Sequence, residues 1–205
     1  MRKFTFGTGV VLVLAAFVLG RLSAQGLATG PEPSCTMCPA DFIPKEELES
    51  YEAISVAQSL TDQQVRSIDI GNANVQIALA RRGVLDTPNP RSVAEHSLVT
   101  EVYYVLSGSG TNRLGPDLVD RQQRPDDNRA VQFLNGPGSN SIDIRNPQEV
   151  ELEAGDVLVI PAGTGHQFTR INDHITYLMV RVDPDKVVPL MNAADSEAYI
   201  SENLP

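Results

Sequence analysis

Two short stretches hold the residue types best able to do chemistry. One runs Ala94-Glu95-His96-Ser97-Leu98-Val99-Thr100-Glu101-Val102-Tyr103-Tyr104-Val105-Leu106-Ser107-Gly108, the other Gly155-Asp156-Val157-Leu158-Val159-Ile160-Pro161-Ala162-Gly163-Thr164-Gly165-His166. Between them they carry two of the chain's three histidines. At neutral pH a neutral imidazole and an ionised carboxylate offer lone pairs with no proton to shed, which suits a divalent transition ion. Side chains alternate along a strand, so Ala94, His96 and Leu98 share a face, as do Glu101, Tyr103 and Val105. The odd gap between His96 and Glu101 requires a bulge or turn if both point inward. Glu95 falls on the face opposite His96 and is set aside as a ligand. A carboxylate at Glu101, inside an apolar strand, is costly to bury alone and needs a metal or another cation. For His166 the bland alternative is a core histidine satisfied by hydrogen bonds.

These stretches resemble the paired motifs of the cupin superfamily. His96, Glu101 and Gly108 stand at the spacing of the first motif, and Gly155, Pro161, Gly163 and His166 at that of the second. The resemblance implies an all-β fold, the cupin jelly roll or double-stranded β-helix barrel, over residues 65–182. It also implies a metal site at His96, Glu101 and His166. The sequence departs from the pattern at Ala94, where the first His of a His-x-His pair belongs. That loss weakens ion binding and leaves more room for a substrate. Three protein ligands leave positions open for water, substrate or O₂. Fe, Mn, Ni, Cu and Zn all suit the set, and ligand type does not choose among them.

Tyr103, at a Glu-x-Tyr spacing that some cupin lyases share, is the candidate catalytic residue. A phenol there acts as general acid or base, or orients a substrate. The alternative is a core aromatic. Gln167 and Arg170 flank the second motif. Arg170 stands where cupins often have Asn, and either binds a substrate carboxylate or caps a strand end. His174 reads as a turn histidine.

The resemblance therefore points to a metal-dependent cupin enzyme, an oxygenase or lyase, acting on a small organic molecule. Dioxygenase chemistry comes first, with lyase and isomerase reactions open, because a fold does not fix a reaction. The alternatives are a non-catalytic cupin binding a small ligand or metal, and an envelope protein with a vestigial pocket. Cupins often associate through their strands, so a homodimer is the expected assembly.

The elements that must position these residues follow from composition and punctuation. The 205 residues are 41% hydrophobic, with 14 prolines and 15 glycines, which favours a turn-rich β domain over a helical bundle. A net charge of −10 excludes nucleic acid as a partner, since phosphate binding needs a basic face. Residues 1–24 read as a signal peptide or N-terminal anchor: Met1-Arg2-Lys3, an apolar run, then Ser23-Ala24 at a cleavage position. The protein is expected to be periplasmic or secreted, and to touch membrane only if that segment is retained.

Residues 25–64 read as a linker and an N-terminal helix, 65–183 as the β-barrel and 184–205 as a tail with a short helix. Cys35 and Cys38 suit a local disulfide in an exported protein, with redox and soft-metal roles as alternatives. The helix starts at Pro44, with Leu48, Tyr51 and Ile54 or Ser55 on its apolar face. Strand 101–106 has apolar residues on both faces and is expected to be covered on both sides. Residues 113–140 read as a long loop around a short strand at 131–134.

Overall fold

The computed structural model describes residues 30–205. Residues 1–24, expected to be a signal peptide or anchor, and the first residues of the expected linker lie outside the described residues. Residues 34–205 form one compact unit. It opens with a disulfide between Cys35 and Cys38, followed by helix α1 (Lys45–Gln58). Pro44 precedes the first turn, and Ser59 closes the last in the left-handed region. Tyr51, Ile54 and Ser55 are the buried face of α1. Glu47 does more than face the helix dipole: it grips the buried Arg66 guanidinium through both oxygens, at 2.5 and 2.9 Å. That pair ties the helix to the first strand.

Twelve strands follow. They are β1 (Asp62–Asp69), β2 (Asn74–Arg82), β3 (Val93–His96), β4 (Thr100–Gly115), β5 (Leu118–Val119) and β6 (Gln122–Gln123), then β7 (Gly138–Ser141), β8 (Asp143–Ile144), β9 (Gln148–Glu153), β10 (Val157–Ile160), β11 (Gly165–Arg170) and β12 (Ile175–Asp183). A short helix α2 (Arg129–Phe133) interrupts them, and α3 (Ala193–Asn203) ends the chain. The long strand β4 serves two antiparallel layers. Its first half lies between β12 and β10, with β2 and β1 beyond β12. Its second half lies between β9 and β11, with β3, β7 and β6 beyond β11.

The changeover falls at Gly108, whose φ is +73°. A Cβ there would run into the His174 carbonyl oxygen, so the position needs glycine for its backbone angle and for space. The interior is filled from both layers, by residues such as Tyr103, Val105, Leu152, Phe168, Ile175 and Tyr177. Outside it, Tyr51, Val65 and Leu79 form a second cluster, against which Tyr199 and Ile200 of α3 also pack.

Two expectations are corrected. Residues 131–134 are not a strand: Asn128 caps a helical turn there, its side-chain oxygen accepting from Ala130 N. Strand 101–106 is covered on one face only. Glu101, Tyr103 and Val105 are buried, while Tyr104 and Leu106 are exposed beside Val157 and Val159 of β10. Among the described residues no element is laid over that outer face.

Candidate metal and ligand site

Three strands deliver the motif side chains to one place. His96 is the last residue of β3, and a bend at Ser97-Leu98 supplies the turn that the odd spacing requires. Glu101 and Tyr103 then point inward from β4, and His166 does so from β11. His96 Nε2 is 3.6 Å from Glu101 Oε1, and His166 Nε2 is 3.7 Å from Glu101 Oε2. One donor atom from each of the three groups lies within 4.8 Å of the others. All three side chains are buried against a cavity of about 160 Å³, whose walls include Arg82, Ala94, Tyr103 and Arg124. Ala94 is the direct cross-strand partner of His166. The position where the cupin pattern has its further histidine is thus beside the cluster, and it carries only a methyl group.

Glu101 is held by Tyr103 and by two groups not singled out in the sequence, Arg181 and Asn135. Arg181, fully buried on β12, donates from Nε to Glu101 Oε1 at 2.9 Å. Asn135, just after α2, donates to the same oxygen at 3.0 Å. Tyr103 Oη donates to Oε2 at 2.9 Å. Arg181 also reaches Asp62 Oδ2 at 2.5 Å and Gln64 Oε1 at 3.2 Å. The cation that the buried carboxylate needs is therefore present in the chain itself. A sequence signal for Arg181 existed: it shares an alternation with Tyr177, Met179 and Asp183, all buried.

Other expected residues fall outside the cluster. Arg170 is exposed and donates to Asn172, so it is a strand-end group. His174 bonds Asp173 and Ser107 in its turn. Glu95 lies on the opposite face, held by Ser139 and Arg121. Gln167 is buried and donates to Ser92 Oγ.

The charges in the cluster follow from burial and from each other. Burial alone would push the Glu101 carboxyl up, but His96, Arg181 and His166 outweigh it and hold the group below the usual carboxylate range. Burial pulls His96 down to about 3 against the opposing pull of Glu101, and lowers His166 as well. Both imidazoles are neutral at pH 7, the form in which a histidine ligates metal. Burial, and then Glu101, push the Tyr103 phenol well above its ordinary value.

This donor set suits a divalent ion unevenly. His166 Nδ1 faces the Thr164 carbonyl at 3.4 Å, which assigns the proton to Nδ1 and leaves the Nε2 lone pair toward the cluster. Glu101 Oε2 accepts only from Tyr103 and retains a lone pair. His96 is opposed: its Nδ1 faces a donor, Arg124 Nη1, at 3.5 Å. That contact favours the tautomer with the proton on Nε2, so His96 joins an ion only when Arg124 gives the contact up. His166 and Glu101 fit an ion as they stand, and Arg124 tunes the site through His96.

Two antiparallel layers sharing one long strand and closing around a His, Glu, His cluster define the cupin jelly roll. No protein-family model matches the chain, and no curated protein matches it. Solved structures similar to it include a Bacillus halodurans protein at 16% identity, covering 80% of this chain and 98% of that one, with a TM-score of 0.40. A cupin protein from Bacteroides fragilis matches at 16% identity over 76% of this chain and 92% of its own, with a TM-score of 0.35. An RmlC-like cupin family protein with a double-stranded β-helix fold, from Methanocaldococcus jannaschii, matches at 13% identity over 62% and 85%, with a TM-score of 0.36. The fold assignment rests on the strand order and the two motifs.

Proposed function

We propose that the protein is an exported, metal-dependent cupin enzyme acting on a small organic molecule. The observation that carries this reading is the convergence of His96, Glu101 and His166 on one buried cavity. A bound divalent ion would supply O₂ activation or polarisation of a substrate oxygen. The chain's own residues do the rest. Arg181 and Asn135 keep Glu101 anionic and fixed in place. Tyr103, with its raised pKa, stays protonated at neutral pH, so its role is that of a donor that orients Glu101 or a substrate oxygen. Dioxygenase chemistry remains the first reaction to test. A homodimer belongs to the same proposal, packed through the exposed outer face of β4 and β10; a sedimentation measurement checks it.

The testing experiment is elemental analysis of protein purified without added metal, alongside His96→Ala and His166→Ala. O₂ consumption with small organic substrates follows. A stoichiometric ion that both variants lose is the expected result. No ion, even after reconstitution with each candidate metal, overturns the reading.

One observation favours a second reading, a non-catalytic cupin that binds a small ligand. Glu101 already has three donors and a buried counter-charge without any ion. A protein that stays metal-free yet binds a small molecule in this cavity would select that alternative.

A further inference from the structure

The basic residue with the least to do in this interior is Arg82, the last residue of β2. Its Nε donates to Tyr177 Oη at 3.0 Å, and its guanidinium carbon lies 5.2 Å from the centre of the Phe168 ring. Among the described residues no carboxylate lies within ion-pair distance of it, and neither terminal nitrogen has a hydrogen-bond partner. The aromatic contacts fix the plane of the fork and leave its donor end unused.

Arg82 borders ligand-sized space. Arg82 lines the cavity that holds the His and Glu cluster and also a neighbouring cavity of about 130 Å³, walled by Leu85, Pro88, Ser92, Gln167 and Phe168. The two cavities share Arg82, Ala94 and His166 as lining residues. At their junction, the position where the cupin pattern has a further histidine carries only the methyl of Ala94. Both spaces are below the roughly 300–1,000 Å³ typical of pockets for drug-sized ligands, so the occupant is small.

The charges select its sign. Around the cluster Arg181 is matched by Glu101 and Asp62. Arg124 bonds Asn140 Oδ1, the Ser139 carbonyl and His96, with no carboxylate partner. On the far side of β3, Glu95 pairs with Arg121. Around the cavity the three guanidiniums of Arg82, Arg124 and Arg181 stand against the two carboxylates of Glu101 and Asp62, and Arg82 and Arg124 have no carboxylate partner of their own. A bound divalent ion would add to that excess.

We propose that this double cavity takes a small organic monocarboxylate, its carboxylate gripped by the terminal nitrogens of Arg82. A planar fork matches a carboxylate with two parallel hydrogen bonds, and the apolar wall of Leu85, Pro88 and Phe168 takes the carbon skeleton. Arg82 is then the residue that sets substrate class, the role considered for Arg170. The assignment deepens the proposed function and rests on the same cavity.

The test is calorimetric titration of the full chain, metal-free and metal-loaded, with propionate, pyruvate and lactate. Propionamide, pyruvamide and lactamide serve as neutral counterparts, and inorganic phosphate as a rival anion. At least one carboxylate should bind while its amide does not, and Arg82→Lys, which keeps the charge but loses the fork, should weaken it by about tenfold. Arg170→Gln should leave it unchanged. Equal binding of acid and amide, tighter binding of phosphate, no binding by any carboxylate, or an unaffected Arg82→Lys variant each overturn the proposal. The wild-type comparison of acid with amide needs no variant to fold. Stoichiometric metal with no carboxylate preference would defeat this inference alone. Carboxylate binding that survives His166→Ala in a protein that never takes up metal would defeat the metal reading alone.

Discussion

Arg181 Nε donates to Glu101 Oε1 at 2.9 Å across β12 and β4, and both side chains are sealed from water. The bond joins a motif carboxylate to a strand that lies outside both motifs. It also means that the charge on Glu101 does not depend on an ion. Removing one partner of such a pair strands the other as a buried charge.

Arg181→Met should therefore destabilise the protein by about 3–5 kcal/mol, the range for breaking a buried ion pair from one side. Pairing it with Glu101→Leu should return part of the loss, because the stranded carboxylate goes too. Urea unfolding of the wild type and the two variants measures this. An Arg181→Met protein as stable as wild type would mean that Glu101 is not held through this bond.

Metal affinity should respond to two residues that are not themselves ligands here. Ala94→His places an imidazole across from His166 and should tighten Zn²⁺ or Mn²⁺ binding. Arg124→Gln removes the guanidinium from His96 Nδ1 and should tighten binding by on the order of tenfold, the scale of effects from residues behind metal ligands. Competition against a chelating dye reads both. Looser binding in Arg124→Gln, with an unchanged melting temperature, would remove the role given to that contact.

The junction of α1 and α3 gives an alkaline signature. Tyr51 Oη shares a hydrogen bond with Ser196 Oγ at 2.9 Å, and burial pushes the phenol up to about 12. An unfolded tyrosine loses its proton near pH 10. Between about pH 10 and 12 the unfolded state then binds fewer protons than the folded one, so stability falls as pH rises. Below pH 10 this contribution is fully present. Tyr51→Phe should show a shallower loss of stability across that window, and parallel curves for the two proteins would contradict the assignment.

Gly108→Ala should cost about 1–2 kcal/mol from the backbone angle alone, with more from the His174 carbonyl that the new methyl meets. Thermal melts check it. A neutral result would mean that the changeover between the two layers tolerates a different backbone path.

The parts of this architecture that were legible are those written in local order. The resemblance of the His96, Glu101, Gly108, Gly155, Pro161 and His166 pattern to the cupin motifs implied the jelly roll and the meeting of the three donor side chains. Pro44 and the Leu48, Tyr51, Ile54 periodicity placed α1. Arg82 and Arg124 were not legible as site residues, because an arginine at a strand end or in a loop looks solvated until its partners from distant segments are known; Arg181 carried only the hint of its alternation with buried neighbours. Arg181 meets Asp62 and Glu101, which are far from it in sequence. The turn at 129–133 was missed because its apolar residues, Ala130, Val131 and Phe133, also fit a strand, and the deciding feature is the Asn128 cap. Tyr104 and Leu106 misled in the other direction: apolar residues on both faces of a strand imply two covers, and only the inner one is found among the described residues.

Strand β4 carries one more consequence, for how the chain is made. Each of its four hydrogen-bonding neighbours, β9, β10, β11 and β12, lies C-terminal to it, beginning at Gln148. During synthesis the strand that carries Glu101 and Tyr103 therefore emerges with nothing to pair against. Its first layer completes only when Ile175–Asp183 arrives to bridge it to β2. Pairings this distant in sequence form slowly, since the loop must close before any contact stabilises it. The His96, Glu101 and His166 cluster is accordingly a late product of folding, assembled only after almost the whole chain has been released.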